Sequence, residues 1–409
     1  MRNTRVMAVA AAACVLFVAN SPLPGAVSAG EPVAETAGVP TSAAVTPSGS
    51  GAQRLNPPAR TFDIVAVGDW LSEGLVNNAA AAAAPPGVRY DHEPLLRPIA
   101  PIISSADLAI CHMEIPIGVP GAKAGFLGRS AYGSSLIAAP YEAAGDLRRV
   151  GFDRCSTASN HSYDMGTAGI GTTLQAFDDV GITHTGTART AQEAQPKPFA
   201  VNGVQVAHLS FARNSNTGFP SDPWKLRQAV TATNVINDVA AARAAGAEVV
   251  IVSLHVYVEM QTAPTADDRA LVNQIVAQAK PDLILIHGPH VVQPVERVAN
   301  TLVYWSLGNF ISGMGVAGRD KYSDPRTLDG LMATVRFTEE ADGTWRTEPW
   351  TVLLCNVTGS RMVYPGGNGL LDPTISGTLR TQLQNCFNRS AAVVADTLTV
   401  VFGSERLAA

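Results

Sequence analysis

An apolar segment that ends in two histidines constrains the fold of this chain more than any other feature. The apolar residues occupy 283–286, between Pro281 and Gly288, and they are followed by His287 and His290. A short apolar run with these boundaries predicts a strand that is buried on both faces. In open α/β sheets, binding sites form at the carboxyl ends of such strands, and imidazole is the commonest metal-binding side chain. The segment therefore predicts a buried sheet with a site at one edge.

Strand-like and helix-like segments alternate along the chain from residue 62 onward, which predicts one α/β domain with mixed sheets. Asn202 and Gly203 predict a hairpin turn between two strands. The segments 331–337 and 344–354 predict a meander. The other predicted strands are 62–67, 107–111, 153–158, 182–185, 205–211, 248–254, 282–286 and 301–305, and the predicted helices are 94–104, 141–150, 168–180, 229–245 and 266–279.

Five of the predicted strands are followed by polar residues that can bind a metal ion. These residues are Asp69, His112, Glu114, Asn160, His161, His255, His287 and His290. Each has an ordinary structural explanation when taken alone: Asp69 could cap a turn, His112 could be a core histidine, and Asn160 could cap a helix. Because these explanations require five separate coincidences, we expect the residues to meet at one edge of the fold.

The combination of carboxylate and imidazole favours a divalent transition ion such as Mn, Zn or Fe. Six or seven ligands are too many for one tetrahedral ion and suit two neighbouring ions, which bind an oxyanion and activate a water. The predicted chemistry is phosphoester hydrolysis. His161 would protonate the leaving oxygen as general acid, and either Asp164 or His184 would orient its ring.

The N-terminus has the pattern of a secretory signal, with Arg2 and Arg5 before an apolar run at 6–19 and small residues at 27–29. We therefore expect a secreted or extracytoplasmic protein of the cell envelope. Retention of this segment would instead associate the protein with a membrane. Four segments are predicted: a signal peptide (1–29), a disordered linker rich in Ala, Pro, Ser and Thr (30–59), the α/β domain (60–355) and a C-terminal extension (356–409).

Charge and cysteine content narrow the possible partners and the compartment. The formal net charge of −5, without basic clusters, argues against a nucleic-acid partner. Export permits disulfides, and Cys355 with Cys386 is a plausible pair. Cys111 and Cys155 lie near the ends of predicted strands and are a second plausible pair, although sequence alone does not fix the connectivity.

The residues at the strand ends resemble the CapA family of poly-γ-glutamate capsule synthesis proteins, which belongs to the calcineurin-like metallophosphatase superfamily. The resemblance spans residues 62–312 and implies a four-layer αββα sandwich with mixed sheets. Its most specific part runs from His287 to Phe310. The matching motifs are Gly68-Asp69, Ala106-Asp107-Leu108, Met113-Glu114-Ile115-Pro116, Ala158-Ser159-Asn160-His161, His255 with Glu259, His287-Gly288-Pro289-His290 and Ser306-Leu307-Gly308-Asn309-Phe310.

The resemblance also implies a role for each matched residue. Asp69, Glu114 and His290 would bind one ion, Glu114 would bridge to a second ion bound by Asn160, His255 and His287, His161 would be the general acid, and Glu259 and Asn309 would lie around the substrate. The sequence departs from the family pattern where Leu71 replaces a metal-binding histidine and where His112 replaces an asparagine. We expect His112 to restore the missing ligand. The family's Gly-His-His-Pro-His becomes Ile-His-Gly-Pro-His at 286–290 and keeps both outer histidines.

Three functions agree with these features. The first is an exported, metal-dependent protein of capsule, poly-γ-glutamate or envelope polymer biosynthesis. It would carry a hydrolase site for an anionic polymer or a phosphoester, and an envelope polymer synthase would be its partner. The second is a secreted phosphoesterase that acts on nucleotides or sugar phosphates. The third is a non-catalytic subunit that binds or assembles the polymer.

Overall fold

The computed structural model of this chain describes residues 59–316 and 320–394. The predicted signal peptide and all but the last residue of the predicted linker lie outside the described residues. The strands are β1 (Thr61–Leu71), β2 (Leu108–His112), β3 (Gly125–Arg129), β4 (Ser135–Ala138), β5 (Arg154–Ser156), β6 (Thr183–Thr185), β7 (Phe199–Val201), β8 (Val204–Ala212), β9 (Val249–His255), β10 (Leu283–His287), β11 (Val295–Val298), β12 (Thr301–Tyr304), β13 (Asn309–Ser312), β14 (Asp329–Glu339), β15 (Trp345–Asn356) and β16 (Val363–Pro365).

The helices of the described residues lie mainly between the strands. They are α1 (Gly74–Ala83), α2 (Glu93–Leu96), α3 (Ala100–Ser104), α4 (Glu142–Val150), α5 (Gly166–Val180), α6 (Ala232–Ala244), α7 (Ala266–Ala279), α8 (Gly366–Leu371) and α9 (Gly377–Val394), with 3-10 turns at Asp320–Ser323 and Pro325–Leu328. None of these helices has both the length and the apolar character needed to cross a bilayer.

Two mixed sheets form the centre of the fold. The first has the order β16-β15-β14-β1-β2-β5-β6, with β13 also paired to β1, and the second has the order β11-β12-β10-β9-β8-β7. The strands β1, β2, β5 and β6 are parallel, as are β8, β9, β10 and β12, whereas β14 to β16, β7 and β11 run antiparallel to their neighbours. The predicted mixture of parallel and antiparallel strands is confirmed.

Three layers of buried side chains separate four layers of secondary structure. One lies between the first sheet and helices α1 to α5, one between the two sheets, and one between the second sheet and helices α6 and α7. Strand β10 shows how the sequence specifies these layers: Leu283 and Leu285 face the other sheet, whereas Ile284 and Ile286 face the helices. The αββα sandwich implied by the family resemblance is confirmed.

Local chemistry explains where the elements match or differ from the predictions. Asn202 and Gly203 adopt φ angles of 47° and 80° and join β7 to β8, as their turn chemistry predicts. The predicted helix 94–104 is instead split into α2 and α3, because the prolines at 98 and 101 lack the backbone N–H that a continuous helix needs. The hairpin β3–β4 was not predicted, since its strands are short and partly exposed.

The described residues of the C-terminal extension predicted at 356–409 pack against the first sheet. Strand β15 crosses its predicted boundary, and α9 packs against β15. A disulfide joins Cys355 of β15 to Cys386 of α9, and Val394 lies in the core between the sheets. The second disulfide joins Cys111 to Cys155, which face each other in register on β2 and β5. Both plausible cysteine pairs are present.

Candidate metal centre

The inner face of each central strand changes from apolar to polar at its carboxyl end. Residues two apart lie on the same face of a strand. His112 continues the face of Leu108 and Ile110, His255 continues that of Val249 and Ile251, and His287 continues that of Leu283 and Leu285. Strand register aligns these ends, with His287 opposite His255 in one sheet and His112 opposite Asp69 in the other. The imidazoles therefore face one another across the space between the sheets.

A close crossing of two chain segments brings Asp69 into this space. The β1–β2 register shifts between Ala66 and Asp69. A Cβ atom on Gly68 would lie 2.0 Å from the carbonyl oxygen of Gly308, so only glycine allows this approach. The Asp69 N–H donates to the same carbonyl at 3.0 Å, and Asn309 lies opposite Asp69 in register.

The Asp69 carboxylate is fully buried and lies among the histidines. Its Oδ2 accepts from the Gly288 N–H at 3.2 Å and lies 3.1 Å from Nδ1 of His290. Its Oδ1 lies 3.5 Å from Nδ1 of His287 and 4.0 Å from Nε2 of His112. The sharp turn at residues 288–290 thus directs His287 and His290 to the two oxygens of one carboxylate.

Glycine is required in this turn. Gly288 has a φ of 102°, and a Cβ atom there would lie 2.4 Å from the Tyr257 ring and 2.9 Å from Nε2 of His255. His290 itself has a φ of 60°, which is uncommon for a residue with a side chain. The backbone therefore adopts an unfavourable conformation at the position that directs the His290 ring into the site.

Six residues form what we call the histidine–carboxylate cluster: Asp69, His112, Glu114, His255, His287 and His290. Two groups of three within it have ligand atoms that all lie within 4.8 Å of one another, and these groups are Asp69 with His112 and His255, and Asp69 with Glu114 and His290. Each group has the residue types and the spacing of a metal site. Asp69 is common to both, whereas the family resemblance assigned the bridging position to Glu114.

The cluster contains an unusual concentration of buried polar atoms without hydrogen-bond partners. Among the described residues ten such side-chain atoms occur, and eight of them lie at this site, six in the cluster and one each on Asn160 and Asp164. They are Oδ1 of Asp69, both carboxylate oxygens of Glu114, Oδ1 of Asn160, Oδ1 of Asp164, Nε2 of His255 and both ring nitrogens of His287. Each buried polar atom left without a partner costs about 1–3 kcal/mol. Apart from Asp164, the residues carrying these atoms are the predicted ligands, and their donor set fits a divalent transition ion.

The protonation of three cluster residues follows from their burial. Burial lowers the pKa of His112 and of His255 well below the usual value. Their rings are therefore neutral at neutral pH, which is the form that binds metals. Burial and the nearby charge of Asp69 raise the pKa of Glu114 well above its usual value. Positive charge beside Glu114 opposes this rise, as the nearby His290 does.

Asp69 and His290 behave as an ion pair. Burial alone would raise the pKa of Asp69, but the nearby rings of His287 and His290 hold it well below its usual value. Burial opposes the charged form of His290, but the charges of Glu114 and Asp69 raise its pKa to about 10. The proton on His290 thus occupies a position where positive charge is favourable, and a bound cation would replace it.

His161 lies beside the cluster and is more exposed than the cluster residues. Its side chain is 12% exposed, against 6% or less for those of Asp69, His112, Glu114 and the other three histidines. Its Nδ1 lies 2.6 Å from Oδ2 of Asp164 and 3.0 Å from Nδ2 of Asn216. A carboxylate at Nδ1 fixes the ring orientation and leaves Nε2 for proton transfer. Asp164, and not His184, is therefore the residue that orients the His161 ring.

Three other predicted residues occupy less direct positions. His184 lies 3.1 Å from Asp178 and does not contact His161. Asn309 is fully buried, and its Oδ1 lies 3.1 Å from Nδ1 of His290 while its Nδ2 donates to the Thr327 carbonyl. Asn309 therefore holds His290 in place and is not exposed for contact with a substrate. Glu259 is half-buried, and its charge influences both Glu114 and His290.

The substitutions relative to the family pattern have a structural explanation. Leu71 packs in the core between the first sheet and its helices and does not belong to the cluster. His112 occupies the site instead, with its Nε2 3.1 Å from Nδ1 of His255 and its ring stacked 3.9 Å from that of His287. Ser156 contacts the other ring nitrogen of His112 at 2.8 Å.

Sequence reasoning missed three residues that support the site. Ser156 positions His112, and Tyr257 packs edge-on against the His255 ring with centroids 5.1 Å apart. Asn216 contacts His161 and also accepts from Nδ2 of Asn160 at 3.2 Å. Taking every second residue of the neighbouring strand β5 as facing the site could have found Ser156, which lies opposite His112 in register. Asn216 lies in a loop and carries no such signal.

These observations describe an αββα sandwich protein with a candidate metal centre at the carboxyl ends of its strands. The chain belongs to the family described as bacterial capsule synthesis protein PGA_cap, which matches residues 63–314. It is 28% identical to the PGA biosynthesis protein CapA of Bacillus subtilis (strain 168), over 49% of this chain and 51% of that protein. It is 25% identical to the capsule biosynthesis protein CapA of Bacillus anthracis, over 56% of each chain. The chain thus spans about half the length of the curated relatives it matches.

Solved structures with a similar fold have low sequence identity to this chain. One is a 5'-nucleotidase precursor from Thermus thermophilus, at 12% identity and a TM-score of 0.38, covering 72% of this chain and 54% of that one. Another is the calcineurin-like phosphoesterase YfkN from Bacillus subtilis, at 11% identity and a TM-score of 0.36, covering 82% of this chain and 98% of that one.

Proposed function

We propose that this protein is a metal-dependent hydrolase of bacterial capsule or envelope polymer synthesis and that it cleaves a phosphoester bond. One observation supports this most strongly: eight buried polar atoms without hydrogen-bond partners lie together beside the His161–Asp164 pair. Ligands for a cation and a positioned proton donor are the two components that such a hydrolysis needs.

In this proposal, the histidine–carboxylate cluster and Asn160 would hold two divalent transition ions, and Asp69 belongs to both groups of candidate ligands. Bound there, such ions supply a lowered pKa for water and stabilisation of negative charge on a phosphoryl group. His161 donates its proton to the leaving oxygen through Nε2, while Asp164 holds the ring at Nδ1. Asn216 keeps Asn160 and His161 at a fixed distance from each other, since it contacts both side chains.

The family assignment supports a role in capsule synthesis. Two relatives are described by their role in PGA or capsule biosynthesis. We propose that the substrate is an anionic polymer or a phosphoester intermediate, and that an envelope polymer synthase is the partner. Because the net charge of the chain is −5, recognition of an anion would depend on local contacts and not on long-range attraction.

We also propose that the protein acts outside the cytoplasm. The pattern of residues 1–29 favours export. The two disulfides, Cys111–Cys155 and Cys355–Cys386, fit an oxidising compartment. A fusion of residues 1–59 to a reporter enzyme that is active only after export would test this directly, and reporter activity confined to the cytoplasm would contradict it.

The hydrolase proposal is tested with purified protein that is stripped of metal and reloaded with Mn²⁺ or Zn²⁺. Phosphomonoesters, phosphodiesters, nucleotides and sugar phosphates form the substrate panel. We expect turnover that requires the ion, and a fall in kcat of about 10²–10⁴-fold in His161→Ala with metal content unchanged. Tyr163→Phe, in the same loop, is the matched control and should retain activity.

Each of three outcomes would overturn the proposal or one part of it. Stoichiometric metal without cleavage of any phosphoester would favour a polymer-binding or assembly subunit. Efficient turnover of free nucleotides or sugar phosphates, with no effect on polymer, would favour a general secreted phosphoesterase. Equal activity of His161→Ala and the unmodified protein would exclude His161 as the general acid.

A further inference from the structure

A second polar cavity lies at the open edge between the two sheets. It has a volume of about 410 Å³ and is bounded by β6 of the first sheet and by β7 and β8 of the second. We call it the Arg154 cavity, and the residues that matter for it are Arg154, Lys197, Phe199, His208 and Ser210. None of the cluster residues, nor Asn160 or His161, lines it.

The guanidinium of Arg154 is buried in this cavity without an acidic partner. Arg154 is only 9% exposed, and none of the carboxylates in the described part of the chain forms an ion pair with it. Its Nε donates to Nδ1 of His208 at 3.3 Å, and its Nη2 donates to the His208 carbonyl at 3.4 Å. The ring of Phe199 covers one face of the guanidinium at 4.6 Å. Among the described residues, Nη1 has no hydrogen-bond acceptor.

His208 does not neutralise this charge. Its Nε2 lies 2.9 Å from the Ser253 hydroxyl, so Nδ1 is the acceptor for Arg154. Burial and the charge of Arg154 lower the pKa of His208 well below its usual value, so the ring is neutral. Burial lowers the pKa of Arg154 only to about 10, so the guanidinium stays charged at neutral pH.

The carboxylates in the cavity wall are already paired with other arginines. Asp178 lies 2.7 Å from Nη1 of Arg189, which also binds Glu193. Asp238 forms an ion pair with Arg227. The cavity therefore contains one buried cation that lacks a counter-ion, and the exposed side chain of Lys197 adds a second positive charge at the wall.

A buried charge without a partner is unfavourable, and a ligand of opposite sign would relieve this cost. The free edge of a guanidinium is suited to the two oxygens of a carboxylate or phosphate. Apolar side chains, among them Ile182 and Phe211, line other parts of the wall and would contact the body of such a ligand. We propose that the Arg154 cavity binds the carboxylate or phosphate group of a small organic anion, with Arg154 as the recognising residue.

This site would operate independently of the proposed hydrolase, because it contains none of the residues assigned to metal or to proton transfer. The test uses metal-free full-length protein, so that no ion can capture the probe. Binding of glutarate and of inorganic phosphate is measured by calorimetry, with glutaramide as the uncharged analogue of glutarate. We expect saturable binding of at least one anion and none of glutaramide, and the preferred anion identifies the ligand group as carboxylate or phosphate.

Variants then assign any binding to Arg154. Arg154→Met should weaken it about tenfold or more, and Arg154→Lys should weaken it less, because lysine keeps the charge but loses the planar fork. Arg346→Met, which alters an exposed arginine paired with Glu340, is the matched control and should bind like the unmodified protein.

Thermal unfolding separates ligand recognition from a purely structural role. Without anion, Arg154→Met should unfold at the same temperature as the unmodified protein or higher, because it removes an unpaired buried charge. The anion should raise the unfolding temperature of the unmodified protein and not that of the variant. Absence of saturable anion binding, or equal binding by Arg154→Met, would overturn the proposal. If Arg154→Met does not fold, unchanged affinity in Arg154→Lys would overturn it.

Discussion

The space between the two sheets contains two polar regions of opposite character. At the strand ends, buried carboxylate and imidazole atoms have no hydrogen-bond partners among the described residues. At the sheet edge, the buried guanidinium of Arg154 has no carboxylate partner among them. The two regions are close in sequence, since Ser156, which contacts His112, lies two residues beyond Arg154 on the same face of β5. The sign of the buried groups without partners, more than the shape of the space, determines the kind of ion that we propose for each region.

The largest expected effect concerns Asp69, because it belongs to both groups of candidate ligands. Asp69→Asn should lose the ions at both positions and lower the metal-dependent activity by about two orders of magnitude or more, since replacing even a residue behind a ligand costs 10–100-fold. Glu114→Gln should remove only one ion. Metal content per chain, measured by mass spectrometry, checks both variants, and Asp267→Asn, at an exposed position of α7, is the control. Two ions retained in Asp69→Asn would contradict the shared position.

The next effect concerns Asn309, which is fully buried and contacts the His290 ring. Asn309→Ala should weaken metal binding by about 10–100-fold, because it frees the orientation of the His290 ring. Metal titration by calorimetry measures this change. Asn234→Ala, on the exposed face of α6, is the matched control. A change in KM for substrate with unchanged metal affinity would restore Asn309 to the substrate-contacting role that the family resemblance implied.

The sequence predicted the position of the site better than the roles within it. In β2, β9 and β10 a histidine ends a buried apolar run, and the two-residue period of a strand sets the face on which it lies, so sequence alone could place the histidines together. The shared position of Asp69 depends on the crossing of Gly68 with Gly308, which joins segments 240 residues apart. Such long-range contacts leave no local pattern.

The burial of Arg154 also could not be predicted from the sequence. Arg154 lies inside a predicted strand, directly after Asp153, where a charged residue would ordinarily be solvent-exposed. Its burial follows from the packing of β7 and β8 over the edge of the first sheet, as its contacts with Phe199 and His208 show. Neither contact has a sequence signal, because the residues come from the opposite sheet.

A smaller, graded effect concerns pH. His290 has a pKa raised to about 10, so its proton must leave before the ring can bind an ion. Metal affinity should therefore rise with pH, by about tenfold per unit for each proton released. Calorimetry in buffers of different ionisation enthalpy counts these protons. Metal affinity that is independent of pH between about 6 and 8, in the same titration, would show that protonated His290 does not compete with the ion.

The smallest expected effect connects the two regions. Arg154→Met should change metal affinity by less than about a factor of two, because separate sites without shared partners act almost additively. Metal titration of Arg154→Met and of the unmodified protein measures this change in affinity. A large loss of metal affinity would mean that the two regions form one coupled site, through Ser156 or His208, and are not independent.

The metal content of the purified protein shows whether the histidine–carboxylate cluster is a metal centre. After expression with Mn, Zn and Fe available, we expect about two transition ions per chain by mass spectrometry, as two ligand groups sharing one carboxylate predict. Asp69→Asn prepared in parallel should contain almost none. Protein without transition metal under these conditions, or equal content in Asp69→Asn, would contradict the account.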